Sequence, residues 1–135
     1  MSQENVEIVR AAFEAWDTED LLASGEALWD ALDSEIEIYD HDIPDFGTYR
    51  GHEGFLSWIL DWGDAWEEWR METERFVDAG DTVIYVFQMN AKGKGSGVEL
   101  SRRDAMVWTI RDGKAIRIDY YNNESQALEA AGLSE

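Results

Sequence analysis

The residue best placed for chemistry is Asp40, which closes the alternating run Ile36-Glu37-Ile38-Tyr39-Asp40. A strand sends successive side chains to opposite faces, so if Ile36 and Ile38 look into a core, Asp40 does too. A carboxylate held there is desolvated, its pKa rises, and it is suited to act as a general base. If the run ends at solvent, Asp40 is one more charge beside Asp42 and Asp45. Tyr120 is the second candidate. Ile116, Ile118 and Tyr120 share one face of an alternating run, and Arg117, Asp119 and Tyr121 share the other. The apolar set is expected inward, which brings in the tyrosine and leaves Asp119 outside. With an ordinary pKa near 10, a tyrosine donates a hydrogen bond but is a poor base at neutral pH. Arg103 is the third. It lies on the same strand face as Ala105 and Val107, expected inward, where it would pair with Asp40 or hold a ligand carbonyl or carboxylate. A register one residue away makes it surface charge.

Two other constellations are weaker. Asp40-His41-Asp42, with His52 and Glu53 nearby, invites a metal, but neighbours on a strand diverge and no HExxH-like helical pair exists. No metal is expected, and His41 is either an acid/base residue or polar surface. Lys92-Gly93-Lys94-Gly95-Ser96-Gly97 lacks the GxxxxGK[ST] order and precedes a strand, so it reads as a flexible hairpin rather than a phosphate loop.

The first half of the chain reads as helices that must position these groups. Val6, Val9, Phe13 and Trp16 form one apolar stripe. Asp17 or Thr18 can cap a second helix carrying Leu21, Leu28, Trp29 and Leu32. A loop over 42–52 holds the only proline, Pro44, and ends at Gly51. A third helix is expected over 53–69, with Trp58, Trp62, Trp66 and Trp69 within an arc of about 100° around Phe55. That stripe packs a core, and Trp58 and Trp62 offer flat apolar faces for a ring-containing ligand. The second half reads as strands over 71–78, 82–90, 98–110 and 114–121, with Asp112-Gly113 as a tight hairpin signal. A short helix capped by Asn122 or Asn123 and ended by Gly132 closes the chain. Helices followed by a meander indicate a segregated α+β domain.

The composition narrows the partners. The 135 residues hold 30 acids and 11 bases, a formal charge of −19. Residues 1–45 hold 14 of those acids against a single base, Arg10. Nucleic acid, anionic membrane surfaces and highly charged anionic substrates are disfavoured, because each needs clustered Lys and Arg. Hydrophobic residues make up 44% of the chain, which argues against a disordered polyanion and for one domain over 1–135. Cysteine is absent, so thiolate chemistry and disulfides are excluded. The start lacks a basic, apolar leader and no run approaches the ~20 residues of a span, so a cytoplasmic location is expected.

Three segments carry a family resemblance: Gly47-Thr48-Tyr49-Arg50-Gly51-His52-Glu53-Gly54, Phe76-Val77-Asp78-Ala79-Gly80-Asp81, and Val107-Trp108-Thr109-Ile110-Arg111-Asp112-Gly113-Lys114. The closing Ala127-Leu128-Glu129-Ala130-Ala131-Gly132-Leu133 fits the same pattern. In their order and spacing the chain resembles the SnoaL-like group of the nuclear transport factor 2-like (cystatin-like) superfamily. The resemblance implies an α+β cone in which a curved antiparallel sheet wraps three N-terminal helices. It implies a hydrophobic pocket at one end, with Tyr49, Trp58, Trp62, Ala105 and Val107 as ligand-binding candidates. It also implies a homodimer through the outer sheet face and no cofactor. Asp40 then matches the general base of the isomerases, but their oxyanion tyrosine falls at Ala12 and their protonated aspartate at Ala105. Tyr120 stands where the cyclases and epoxide hydrolases place an aspartate. Two functions compete: a pocket protein for a small, largely apolar, possibly cyclic molecule, and a cofactor-independent isomerase, cyclase or dehydratase. In the second, Asp40 is the base, Tyr120 or Arg103 polarises the substrate, and the tryptophans orient it.

Overall fold

The computed structural model describes residues 2–14, 16, 23–25, 28–41, 48–93, 95 and 97–132. Helix α1 spans Ser2–Glu14, and its expected stripe is real: Val9 and Ala12 are buried, with Val6, Phe13 and Trp16 packed around them. The start of the expected second helix, with its caps Asp17 and Thr18, lies outside the described residues. Residues 23–25 are helical, and Trp29–Ala31 forms a 3₁₀ turn. Leu32, expected on that helix, instead opens strand β1, Leu32–Asp40. After the short β2, Tyr49–Arg50, helix α2 spans Gly51–Ala65. Gly51 turns the chain into it at φ +73°, a conformation that side chains with a Cβ rarely take.

Strand β3 runs Trp66–Ala79, so Trp66 and Trp69 belong to a strand and not to the expected third helix. The physical reason is a bulge. Trp66 pairs with Gly93 and Glu68 with Lys92, which leaves Glu67 as an extra residue. The bulge returns Trp66 and Trp69, three apart, to the core side of the strand. An odd spacing that reads as helical in sequence is thus met by an interrupted strand.

Strands β4 (Thr82–Gly93), β5 (Glu99–Arg111) and β6 (Lys114–Tyr121) complete a meander. On either side of the glycine segment β4 and β5 pair antiparallel, with Lys92 opposite Glu99. At the last hairpin Asp112 and Gly113 both take positive φ, at 52° and 80°, as a type I′ turn requires. The curved sheet has the order β2-β1-β6-β5-β4-β3. Its strands pair antiparallel except β1 and β6, which run parallel and set Asp40 beside Tyr120. Helices α1 and α2 pack on the inner face of this sheet, where most of the core lies. Helix α3, Glu124–Ala130, packs on the outer face. The side chain of Asn123 caps it by accepting from the Gln126 N–H, and Ala127 and Leu128 cover Ile84, Val86, Ala105 and Val107.

Candidate functional site

The site begins with β1. Ile36, Ile38 and Asp40 all point inward and are fully buried, as the alternation predicts. Asp40, at 0% exposure, meets two residues of α2 spaced by one helical turn. Trp58 Nε1 and Trp62 Nε1 both donate to its Oδ2, at 2.9 and 2.7 Å. Charge-assisted bonds of this kind are about twice as strong as neutral ones, and here they fix both indole rings. A carboxylate with no N–H aimed at it would not stay in such a place.

Beside Asp40 on the sheet lies Tyr120, also buried and inward. Trp62 packs on it at a ring separation of 5.2 Å, and Trp58 and Phe87 approach it edge-on. Its hydroxyl donates to Asp104 Oδ2. Burial, and next the Asp104 carboxylate, push the Tyr120 phenol well above its ordinary value, so it remains a protonated donor. Asp104 is fully buried, and its other oxygen accepts from Arg102 Nε at 2.6 Å.

This places a different set of residues on the inner face of β5 from the set expected. Arg102, Asp104, Met106 and Trp108 look inward, opposite Met89, Phe87, Tyr85 and Val83 of β4. Ala105 and Val107 face outward under α3. Arg103, also outward, bonds Glu74 at 3.1 Å and pairs with Glu124, which also takes Arg75. It is remote from Asp40 in kind as well as place: it belongs to an outer ion-pair network. The cause of the misreading is that β5 is buried on both faces over 104–108, so polarity does not alternate there. In β6, Ile118 and Tyr120 look inward as expected, but Ile116 sits at a bulge and Ala115 enters the core in its place.

Against Tyr120 lies a narrow apolar cavity of about 30 Å³. Trp58, Trp62 and Tyr120 line it together with Met71, Met89 and Met106. The remaining aromatic walls include Phe13, Trp16, Trp69 and Trp108. Unbranched methionines let such a lining re-form around different shapes. Asp40 and Asp104 stand behind this lining, covered by the tryptophans and by Tyr120. Tyr49 stands apart, half-buried, with its hydroxyl donating to Asp61 at 3.2 Å. Burial and that bond raise its pKa. Ala12 is part of the core under α1.

Not every indole is satisfied. Among the described residues the buried Nε1 atoms of Trp16, Trp29, Trp66 and Trp108 have no acceptor. A donor removed from water without a partner costs about 1–3 kcal/mol. Reasoning from sequence missed Asp104, Arg102, Trp108 and the three methionines. Only the strand register, which local polarity does not specify, brings them together.

The histidines take no part in this site. His41 Nε2 lies 2.9 Å from Asp119 Oδ1 on the outer face, and its ring stacks on Tyr121 at 4.5 Å. Asp119 also accepts two bonds from Arg117, which raise the arginine pKa. His52 Nε2 lies 3.0 Å from the Leu32 carbonyl, and its ring stacks on Trp29. Among the described residues no three of His, Asp or Glu come together as a metal-binding group. No described helix is long and apolar enough to cross a membrane.

A family model described as a SnoaL-like domain matches residues 9–118. Among solved structures, a nuclear transport factor 2-like protein from Burkholderia thailandensis E264 is 25% identical, with a TM-score of 0.75. That match covers 91% of this chain and 95% of the other. A candidate SnoaL-like polyketide cyclase from Jannaschia sp. CCS1 is 20% identical, with a TM-score of 0.76 over 96% of this chain and 91% of its own. TerC, co-crystallised with polyporic acid, is also 20% identical, with a TM-score of 0.72 over 96% and 98%. At such identities the last two establish a common fold alone. No curated protein matches the chain in sequence.

Proposed function

The chain belongs to the SnoaL-like domain family, and we propose that within it this protein binds a small, largely apolar, ring-containing molecule in the cavity beneath α2. Fold alone does not assign function. The observation that carries the reading is the pair of indoles, Trp58 and Trp62, locked by one buried carboxylate and facing a cavity lined by aromatic and methionine side chains. Flat, immobilised rings bind other rings with little loss of conformational freedom. The lining offers no charged side chain, which disfavours a charged ligand. Neither a metal nor an organic cofactor is needed for such binding. TerC with polyporic acid gives a precedent for a small molecule on this fold.

Titration of intrinsic fluorescence with naphthalene tests this reading. Saturable quenching is expected, weakened about tenfold or more in Trp62→Ala, since an aromatic wall is worth about 1.5–3 kcal/mol of burial. Quenching that is equal in wild type and Trp62→Ala would place the ligand elsewhere and sink the proposal.

A second reading has one observation in its favour: Asp40 sits beside Tyr120, a cavity-lining residue, on the inner face. In this reading Asp40 is a general base for isomerisation, cyclisation or dehydration, and Tyr120 is the donor that polarises a carbonyl. Both indoles would have to leave Asp40 first. Arg103, on the outer face, is then outside the chemistry. Asp40→Asn separates the two readings, because an amide oxygen still accepts from both indoles but is no base. Turnover of a cyclic enone lost with affinity intact supports catalysis; affinity intact with no turnover in either protein leaves Asp40 as a positioning residue. Self-association through the outer sheet face belongs to the same proposal. With α3 on β4, β5 and β6, the strip carrying Tyr39 and Arg117 remains open for it, and sedimentation would show the dimer.

A further inference from the structure

The cavity is smaller than the ring it would hold, so part of its lining has to give way. Cavities that take a benzene ring measure about 150 Å³, whereas this one measures about 30 Å³. Most of the wall has no freedom to move. Trp58 and Trp62 are tied to Asp40, and Tyr120 to Asp104. Met89, Met106 and Trp108 are buried, and in a close-packed interior an enclosed side chain has no space to turn into.

The partly exposed residues of the described lining are confined to two segments: Phe13 and Trp16 at the end of α1, and Trp69 and Met71 on β3. The two segments pack together, with Arg10 of α1 over the Phe76 ring of β3 at 5.1 Å. Along this seam the lining comes nearest to solvent. Three of its four side chains are rigid rings stacked on others. Phe13 lies on Tyr85 at 3.9 Å, Trp16 packs against Phe13 at 6.3 Å, and Trp69 lies against Trp62 at 6.4 Å. Met71 differs, because its chain is unbranched and flexible and carries no polar group to anchor it. It also stands on the least supported strand. β3 is a sheet edge paired with β4 alone, and bulges at Glu67 and Glu74 bound the stretch that carries Met71. Resting on the binding reading above, we infer that Met71 is the gate of the cavity, turning outward to admit the ligand along the seam between α1 and β3. The ligand is then a small ring compound, limited in size by the space that one methionine side chain vacates.

Stopped-flow fluorescence with naphthalene tests this. In wild-type protein the observed rate should level off as naphthalene is raised, at the rate at which the gate opens. Met71→Ala leaves the gate open, so association should be about tenfold faster and its rate should rise linearly with naphthalene. Met71→Ile keeps the side-chain volume but stiffens it at χ1, and a β-branched residue suits a strand. There association should be about tenfold slower, with quenching at equilibrium still saturable. Saturable quenching with the same association rate in wild type and both variants overturns the inference and leaves the binding reading intact. If Met71→Ala folds poorly, the other two proteins decide: a linear rate in wild type and no slowing in Met71→Ile also overturn it. Failure of naphthalene to quench the wild type at all defeats the binding reading and this inference with it.

Discussion

The two faces of the sheet use the same residue types for opposite purposes. On the inner face Asp40 and Asp104 are fully enclosed and accept from indole N–H, phenol and guanidinium donors. On the outer face Asp119 and Glu124 hold the exposed arginines Arg117, Arg75 and Arg103. The inner carboxylates are in a low dielectric, where each donor is indispensable and its loss leaves an unpaired charge. The outer ones pair with arginines that keep about half their surface in water, although Asp119 itself is 6% exposed. A carboxylate's role here is set by which face it occupies. The chain's −19 charge says nothing about that.

Breaking the inner arrangement should have the largest effect. Asp40→Ala strands two indole donors at once and should cost about 3–5 kcal/mol in urea unfolding. Equal costs for Asp40→Ala and Glu74→Ala, which removes the outer partner of Arg103, would erase the distinction between the faces.

The outer face has its own apolar contact, and Leu128→Ala tests whether it is independent. Its truncation beneath α3 should cost about 2–4 kcal/mol while naphthalene binding stays unchanged. Lost binding would mean that the faces are coupled.

Tyr120 gives a smaller, pH-dependent signal. Its folded pKa lies above the unfolded value, so its contribution is complete below about pH 10 and declines as pH rises further. Stability should fall by up to about 1.4 kcal/mol per pH unit there on its account. In Tyr120→Phe the alkaline slope should be shallower by that share, measured by urea unfolding between pH 8 and 11.

The smallest effect belongs to the outer ion pairs. Arg103→Ala should change stability by about 0.5 kcal/mol or less, and 1 M salt should remove even that. A loss as large as that of Leu128→Ala would show that the Glu74 and Glu124 pairs do more than decorate a solvated surface.

How much could be read beforehand depended on the contrast between a strand's two sides. β1 and β6 have one apolar and one polar side near the site, and Asp40 and Tyr120 were legible from that alternation. The Asp112-Gly113 turn was legible for a local reason, since both residues tolerate positive φ. β5 offered no such contrast. Ala105 and Val107 look like core residues and are, but under α3, while the inner face carries Arg102 and Asp104. Likewise the tryptophans at 66 and 69 keep a helical spacing on a bulged strand.

The sequence by itself determined the order of helices and strands, the family, the inward turn of Asp40 and the aromatic supply of the cavity. These follow from local periodicity and turn chemistry, which act over a few residues. Only the tertiary structure decided what Asp40 does at rest, which is to hold two indoles. It alone put Asp104 and Arg102 behind Tyr120 and sent Arg103 to the far side. Those outcomes depend on which face each strand offers to α1, α2 and α3, a choice made by burial across the whole molecule.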